Sequence, residues 1–425
     1  MRRFFFSIFF LCFEILHADA QKLSIKISAP SAILINAKTG KVLYEKDSQR
    51  QMYPASITKV ATAYYCLEKK GEEWLNQIVE APRECLTLTS PDSRGSDVSL
   101  SYWLERGGTM MGLKPGERLS VKTLLYGALL QSGNDATNVL AFHCSGSIPK
   151  FLEELNIFLK EKGLTHTRFT NPHGLHQREH VTTAFDMALL AKEAMKNPHF
   201  RAIVKAIECE RPETNKQPAS RLVQFNRLLK RGPYYYAKAT GIKTGYTSLA
   251  KNNLIASAED SNRSLIAVLL GCEDKKERFR DAIRLFEAAF SEKKVQRTLF
   301  AKGYDRFSVE VKGGKKPLKA ELAEDLSLTY YPSEEPNVRP QLQWDALEAP
   351  LFRNERVGKI RLINSENEVL KSVPLVAVED VLPTFWVLSQ RFFHRFRILF
   401  FSLFMIFSIF SAIFIVLRKK KSAIF

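Results

Sequence analysis

The sequence predicts an α+β fold: an antiparallel sheet with a cluster of helices, followed by a small β-rich domain and a C-terminal transmembrane helix. Three observations carry this prediction. Apolar runs of strand length sit at both ends of residues 29–296 and enclose a largely helical middle. After residue 296 the texture changes to short, mostly alternating apolar runs broken by Gly and Pro. Near the end, Ile398 to Leu417 contains no charged residue, and a helix of that length at about 1.5 Å per residue matches the roughly 30 Å hydrocarbon core of a membrane.

The elements follow in order. Arg2 and Arg3 precede the apolar run Phe4 to Phe13, interrupted afterwards by Glu14, and Ala18-Asp19-Ala20 offers a small-x-small cleavage site. Residues 1–20 therefore read as a secretory signal. Ala32–Ile35 and Lys41–Tyr44 flank Asn36-Ala37-Lys38-Thr39-Gly40, a hairpin pattern. Pro54-Ala55-Ser56 leads into a helical pattern from Ile57 to Leu67, with further helical patterns at Val121–Leu130, Asn138–Cys144, Lys150–Lys162 and Thr183–Met195. Leu254–Ala258 and Leu265–Leu270 read as strands, and Arg278–Phe290 as a closing amphipathic helix. These elements make one catalytic-sized domain, 29–296.

The second domain, 297–380, rests on Phe307/Val309/Val311, Leu318/Ala320/Leu322, Val357/Ile360/Leu362 and Val373/Leu375. Residues 381–397 mix Phe385, Trp386, Phe392, Phe393 and Phe396 with Arg and His, the composition of an interfacial linker. Residues 398–417 are the expected anchor. Arg418 through Lys421 open a tail, 418–425, that the positive-inside rule assigns to the cytoplasm, although Arg391, Arg395 and Arg397 on the other flank make that bias modest. The exported amino terminus sets the same orientation and leaves everything between the two apolar segments outside the cytoplasm.

Lys and Arg number 63 against 45 Asp and Glu, a net charge of +18 spread along the chain. No Lys/Arg block interleaved with stacking aromatics suggests a nucleic-acid reader; the excess suits an anionic polymer or lipid surface. Of Cys12, Cys66, Cys85, Cys144, Cys209 and Cys272, the first leaves with the signal. The remaining odd number, with no C-x-x-C, is neither a disulfide framework nor a zinc site, and reads as small buried hydrophobes. No metal or cofactor is expected.

Three short motifs carry the chemistry: Ser56-Ile57-Thr58-Lys59, Ser132-Gly133-Asn134 and Lys243-Thr244-Gly245. Each is weak alone. Ser147-Ile148-Pro149-Lys150 and Ser291-Glu292-Lys293-Lys294 also read S-x-x-K, Ser365-Glu366-Asn367 reads S-x-N, and Lys38-Thr39-Gly40 is a second K-T-G. Only the first set has the right order and suitable surroundings. Acyl transfer through serine needs a base within hydrogen-bond reach, and on a helix Lys59 shares a face with Ser56. Lys59 serves as a base only when neutral, so it must be desolvated or held near another cation, for which Lys243 is the candidate. Ser132 would complete a proton path to the leaving group, and Asn134 would hold the substrate amide. An edge strand entered at Lys243 would let a peptide pair with it, and the Ser56 and Tyr246 N–H groups would form the oxyanion hole.

These segments, with Leu113-Lys114-Pro115-Gly116-Glu117, Asn171-Pro172-His173-Gly174-Leu175 and Gly241 to Thr247, resemble the low-molecular-mass penicillin-binding proteins, specifically the serine-type D-alanyl-D-alanine carboxypeptidases. The resemblance spans about Ala29 to Phe290, and more loosely the β-rich part. It implies a penicillin-binding/β-lactamase-like transpeptidase domain that removes the terminal D-alanine from peptidoglycan pentapeptide stems through an acyl-Ser56, with Lys59 as base. It implies that Lys243, Thr244 and Arg278 receive the substrate carboxylate, that His173 has a loop role near the site, and that β-lactams inhibit. The implied place is the outer face of a bacterial cytoplasmic membrane. His143, His166 and His180 carry no motif and read as structural or surface residues.

The alternatives are a class A-like β-lactamase, a DD-endopeptidase, and an inactive peptidoglycan-binding protein. A lactamase needs a deacylating glutamate in an E-x-x-L-N pattern. Glu153-Glu154-Leu155-Asn156 is close, but the required first position is Leu152. All motif residues are intact, which gives the inactive reading no support.

Overall fold

A computed structural model of the chain describes residues 21–89 and 100–421. The expected signal segment, with Cys12, and residues 422–425 of the expected tail lie outside the described residues. The chain divides into two compact units, one of Ala20–Lys293 with Pro332–Glu334, the other of Lys294–Tyr331 with Glu335–Phe425.

The first unit contains strands β1 (Ser31–Asn36), β2 (Val42–Lys46), β3 (Ile78–Glu80), β4 (Arg118–Ser120), β5 (Glu208–Arg211), β6 (Ser220–Val223), β7 (Ala239–Thr247), β8 (Lys251–Glu259) and β9 (Ser264–Cys272). Its helices are α1 (Thr58–Lys70), α2 (Val121–Leu129), α3 (Asn134–Ser145), α4 (Ile148–Glu161), α5 (Ala184–Ala194), α6 (Pro198–Lys205) and α7 (Glu277–Phe290). Five strands form an antiparallel sheet in the order β2-β1-β9-β8-β7, so β7 is an edge. The unbroken apolar run in β9 has a physical cause. Ile266, Val268 and Leu270 pack into a core with α1 to α6, whereas Leu265, Ala267 and Leu269 pack against Phe279, Leu285 and Phe286 of α7. A strand covered on both faces loses the polar alternation of a half-exposed one.

The decoy motifs are structural. Lys38-Thr39-Gly40 is the β1–β2 turn, closed by Gly40 N–H donating to the Asn36 carbonyl at 2.8 Å. The Ser147 hydroxyl caps α4, accepting from Lys150 N–H at 3.3 Å. Ser291 ends α7, and Ser365–Asn367 lies between two later strands.

The second unit is β-rich, with β10 (Val295–Phe300), β11 (Phe307–Val309), β12 (Leu318–Leu322), β13 (Leu326–Tyr330), β14 (Arg339–Trp344), β15 (Arg356–Ile363) and β16 (Val369–Ala377). Five strands pair in the order β11-β12-β16-β15-β14 over a core of Leu318, Leu322, Ile360, Leu362, Val373 and Leu375. Then α8 runs unbroken from Phe385 to Lys421. It begins inside the segment read as a linker, because no Gly or Pro separates Phe385 from Ile398 while Pro383 lies just before it. Its stretch Phe385–Ser411 is long and apolar enough to cross a membrane. The five cysteines among the described residues are unpaired, and all but Cys209 are buried.

Candidate active site

Ser56 lies not on α1 but in a 3-10 turn, Ala55–Ile57, that leads into it. With three residues per turn, positions i and i+3 eclipse, which brings Lys59 directly over Ser56. Lys59 is fully buried. Its Nζ lies 2.9 Å from Ser56 Oγ, 2.7 Å from Asn134 Oδ1 and 2.6 Å from the His173 carbonyl oxygen. Two of those neighbours are pure acceptors. A neutral amine has two N–H groups and one lone pair, so when the two oxygens take the hydrogens the lone pair faces the serine hydroxyl. Burial pushes the Lys59 amine well below its ordinary value, and Lys243 adds to this while Asp135 opposes it.

Ser132 follows α2 with a φ of 65°, and the chain re-enters a helix at Asn134. Asp135 holds this arrangement: its carboxylate accepts from Met111, Gly112 and Leu113 N–H at 2.8, 2.8 and 3.0 Å. Ser132 Oγ accepts from Lys243 Nζ at 3.0 Å, and Lys243 also donates to the Thr244 carbonyl at 2.9 Å. Lys243 lies within β7, not at its entry. Burial, then the nearby Arg278 charge, bring its amine down to about 7.

Edge strand β7 passes close to the nucleophile. A Cβ on Gly245 would lie 3.2 Å from Ser56 N and 2.9 Å from the Pro54 carbonyl oxygen, so a side chain there would push the strand away. Asn253 of β8 ties the same turn down, donating to the Tyr53 and Pro54 carbonyls at 2.8 and 2.9 Å. Arg278 Nη1 donates to the Gly245 and Asn253 carbonyls at 3.0 and 3.1 Å, while its buried Nε has no protein partner. Ser56, Ser132, Asn134, Thr244, Tyr246 and Arg278 line one cleft of about 690 Å³, with Lys59 and Lys243 buried beneath.

His173 reaches the site through its backbone. Its ring is buried, with Nε2 at 3.1 Å from the Tyr102 carbonyl and Nδ1 accepting from Leu175 N–H at 3.2 Å. Burial, helped by Lys59, lowers its titration to about 3. His176, unremarked in the sequence, is the histidine that lines the cleft. In the stretch before the third motif, Asn226 Nδ2 donates to the Gly241 carbonyl at 2.8 Å, Tyr234 and Tyr236 join the α7-side core, and Arg227 lines the cleft. Asp135 and Asn253 were missed because nothing local marks a carboxylate or amide whose partners are distant backbone groups; the flanking Asn134 was the one available signal. Glu154 is engaged elsewhere, by Lys69, Ser145 and Tyr65, and does not line the cleft.

A hydroxyl beside a buried amine whose proton affinity burial lowers, under an edge strand and next to an arginine, is the equipment of an active-site-serine acyl-transfer enzyme acting on carboxylate-terminated peptides, carried on a penicillin-binding transpeptidase fold. Residues 17–274 match the D-alanyl-D-alanine carboxypeptidase family, and residues 295–382 match the C-terminal domain of penicillin-binding protein 5. The chain belongs to the D-alanyl-D-alanine carboxypeptidase family and is a serine-type hydrolase of that class. It is 33% identical to D-alanyl-D-alanine carboxypeptidase DacF of Bacillus subtilis over 358 residues, covering 83% of this chain and 86% of the relative. It is also 33% identical to D-alanyl-D-alanine carboxypeptidase DacC of Escherichia coli over 267 residues, 62% of either chain. Among solved structures, penicillin binding protein 5 from Haemophilus influenzae superposes with a TM-score of 0.56 at 26% identity, covering 85% of this chain and 100% of that one.

Proposed function

We propose that Ser56 is the nucleophile of a membrane-anchored DD-carboxypeptidase that removes the terminal D-alanine from peptidoglycan pentapeptide stems. The observation that carries this reading is the buried Lys59 amine, held within hydrogen-bond distance of Ser56 Oγ, Asn134 Oδ1 and the His173 carbonyl. Lys59 takes the Ser56 proton as Oγ attacks the penultimate D-alanine carbonyl. The Ser56 and Tyr246 N–H groups hold the oxyanion. Ser132, bridged to Lys243, passes a proton to the leaving nitrogen, D-alanine departs, and Lys59 activates the water that cleaves the ester. Lys243, Thr244 and Arg278 bind the terminal carboxylate, and Asn134 Nδ2 binds the substrate amide. His173 contributes its carbonyl, not its imidazole. β-Lactams enter as carboxylate-bearing mimics and acylate Ser56.

Residues 29–296 are the proposed catalytic domain and 297–380 the β-rich domain. Within α8 the hydrocarbon-crossing part is placed at 398–417, because Arg391, Arg395 and Arg397 are costly inside lipid. Residues 381–397 then lie at the interface and 418–425 in the cytoplasm. Cleavage after residue 20 leaves the catalytic domain on the outer face of the inner membrane.

The test is intact-mass measurement on the full chain in detergent, first with a penicillin and then with a pentapeptide ending in D-Ala-D-Ala. A long-lived adduct mapped to Ser56, with loss of one alanine from the peptide, is expected. Fast penicillin hydrolysis with an untouched peptide, or no adduct in folded protein, would sink the reading.

Lys243→Ala is expected to raise KM for carboxylate-terminated peptides by about 10-fold, as a charged hydrogen bond of about 1.5 kcal/mol is lost. It also removes a cation that depresses Lys59. With the base less depressed, the acidic limb of kcat/KM moves to higher pH. A limb that stays in place would remove Lys243 from the control of Lys59.

A further inference from the structure

Behind the nucleophile turn, away from the cleft, lies a buried histidine that no step above uses. His180 is 1% exposed and stacks on Phe169 with ring centroids 4.9 Å apart. Its Nδ1 accepts from Thr170 N–H at 3.0 Å, and its Nε2 lies 2.9 Å from Thr58 Oγ1. The hydroxyl of Thr58 in turn donates to the Ala55 carbonyl at 2.9 Å. Donor counting sets the tautomer. A ring nitrogen that accepts from a backbone N–H carries no hydrogen, and the single Thr58 hydrogen is already committed to Ala55. The hydrogen between ring and hydroxyl therefore belongs to Nε2. Burial keeps the ring neutral, its titration lowered to about 3.

The end of this relay matters because of what the Ala55 carbonyl is joined to. The peptide unit that carries the Ala55 C=O also carries the Ser56 N–H. This bond is not among the cis peptides, and in a planar trans unit the two groups point in opposite directions. Holding the carbonyl on the buried side aims the N–H at the cleft. Ala55 itself sits at a φ of 51°, a region that costs a non-glycine residue energy, so the orientation needs support from its surroundings. Thr58 donates to the Ala55 carbonyl through both its N–H and its hydroxyl, and such chains polarise the next donor along.

We infer that His180 is a positioning residue: through Thr58 it orients and polarises the Ala55–Ser56 peptide, and so sets the oxyanion-hole donor of Ser56. The inference rests on the proposed roles of the Ser56 hydroxyl and N–H.

The test uses the full chain in detergent, with active sites titrated by penicillin end-point so that rates refer to folded, reactive protein. His180→Ala is expected to slow Ser56 acylation and lower kcat by about 10- to 100-fold, somewhat less than deletion of a whole oxyanion donor. Affinity for a boronic acid, whose tetrahedral adduct places an oxygen in the hole, should fall by a similar factor. Affinity for the D-Ala-terminated product peptide, which makes no tetrahedral centre, should hold. Thr58→Val should behave like His180→Ala, and the double variant should lose little more than either single one. His180→Gln, whose amide donates and accepts at similar positions, should recover most of the rate, as should Thr58→Ser. If His180→Ala does not fold, Thr58→Val carries the same comparison. Wild-type acylation rates per titrated site in the folded Ala and Val variants would overturn the inference. So would a rate loss with unchanged boronate affinity. A wild-type protein that leaves Ser56 unmodified would overturn the nucleophile assignment instead.

Discussion

Lys59→Ala is expected to lower both Ser56 acylation by penicillin and peptide turnover by about 10³- to 10⁴-fold, the upper range for a general base. The size follows from the surroundings of the amine. Ser56 Oγ has Lys59 Nζ at 2.9 Å, and Lys243, the other amine buried beneath the cleft, is bonded to Ser132 instead. The alanine variant also leaves Asn134 Oδ1 and the His173 carbonyl without this donor, at about 1–3 kcal/mol for each buried acceptor that water does not reach. Lys59→Met, close in volume and unable to accept a proton, separates packing from proton transfer. Both variants should fold, and neither should give a prompt Ser56 adduct by mass. Robust labelling of either would refute Lys59 as the base.

Gly174→Ala should be the most damaging single-methyl change near the site. Gly174 has a φ of +94°, and its Cβ would lie 1.9 Å from the Ala55 carbonyl oxygen and 3.0 Å from Ser56 N. The backbone conformation alone costs about 1 kcal/mol, and overpacking against backbone that cannot retreat adds about 1–3 kcal/mol. Relief requires moving either the Asn171–Leu175 loop, which supplies the His173 carbonyl to Lys59, or the peptide that carries the Ser56 N–H. Stability and acylation rate should therefore fall together, by about 2–4 kcal/mol in unfolding free energy. Gly163→Ala is the control: its φ is +85°, but nothing lies within 4 Å of the added Cβ. The difference between the two variants in denaturant midpoint isolates the clash. Equal midpoints and an undiminished acylation rate in Gly174→Ala would contradict the geometry.

Much of this architecture was legible from local pattern. The amphipathic period of Arg278–Phe290 became α7 with Phe279, Leu285 and Phe286 turned inward, and Leu265–Leu270 became a strand covered on both faces. Element ends were less legible. The pattern from Ile57 gave no sign that Ser56 would sit in a 3-10 turn, since a tighter first turn and an α-helix share the i to i+3 contact. The Pro-free passage from Phe385 to Ile398 reads as aromatic interface by composition, yet helix continuity depends only on the absence of breakers.

Sequence by itself determined the family, the residues proposed as nucleophile and base, the order of the three motifs and the apolar terminal segment, because each is written in neighbouring residues. Tertiary structure alone decided which atoms meet. Lys59 is joined to Asn134 and His173 across separations of 75 and 114 residues, and Thr58 to His180 across 122. Such pairings, and the burial that depresses both lysines, are properties of the packed whole. No window of sequence contains them, which is why His173 is legible as a motif residue while its use of a carbonyl is not. The same reason hid His180, whose neighbours in sequence carry no chemistry and whose neighbour in space is Thr58, the residue before Lys59.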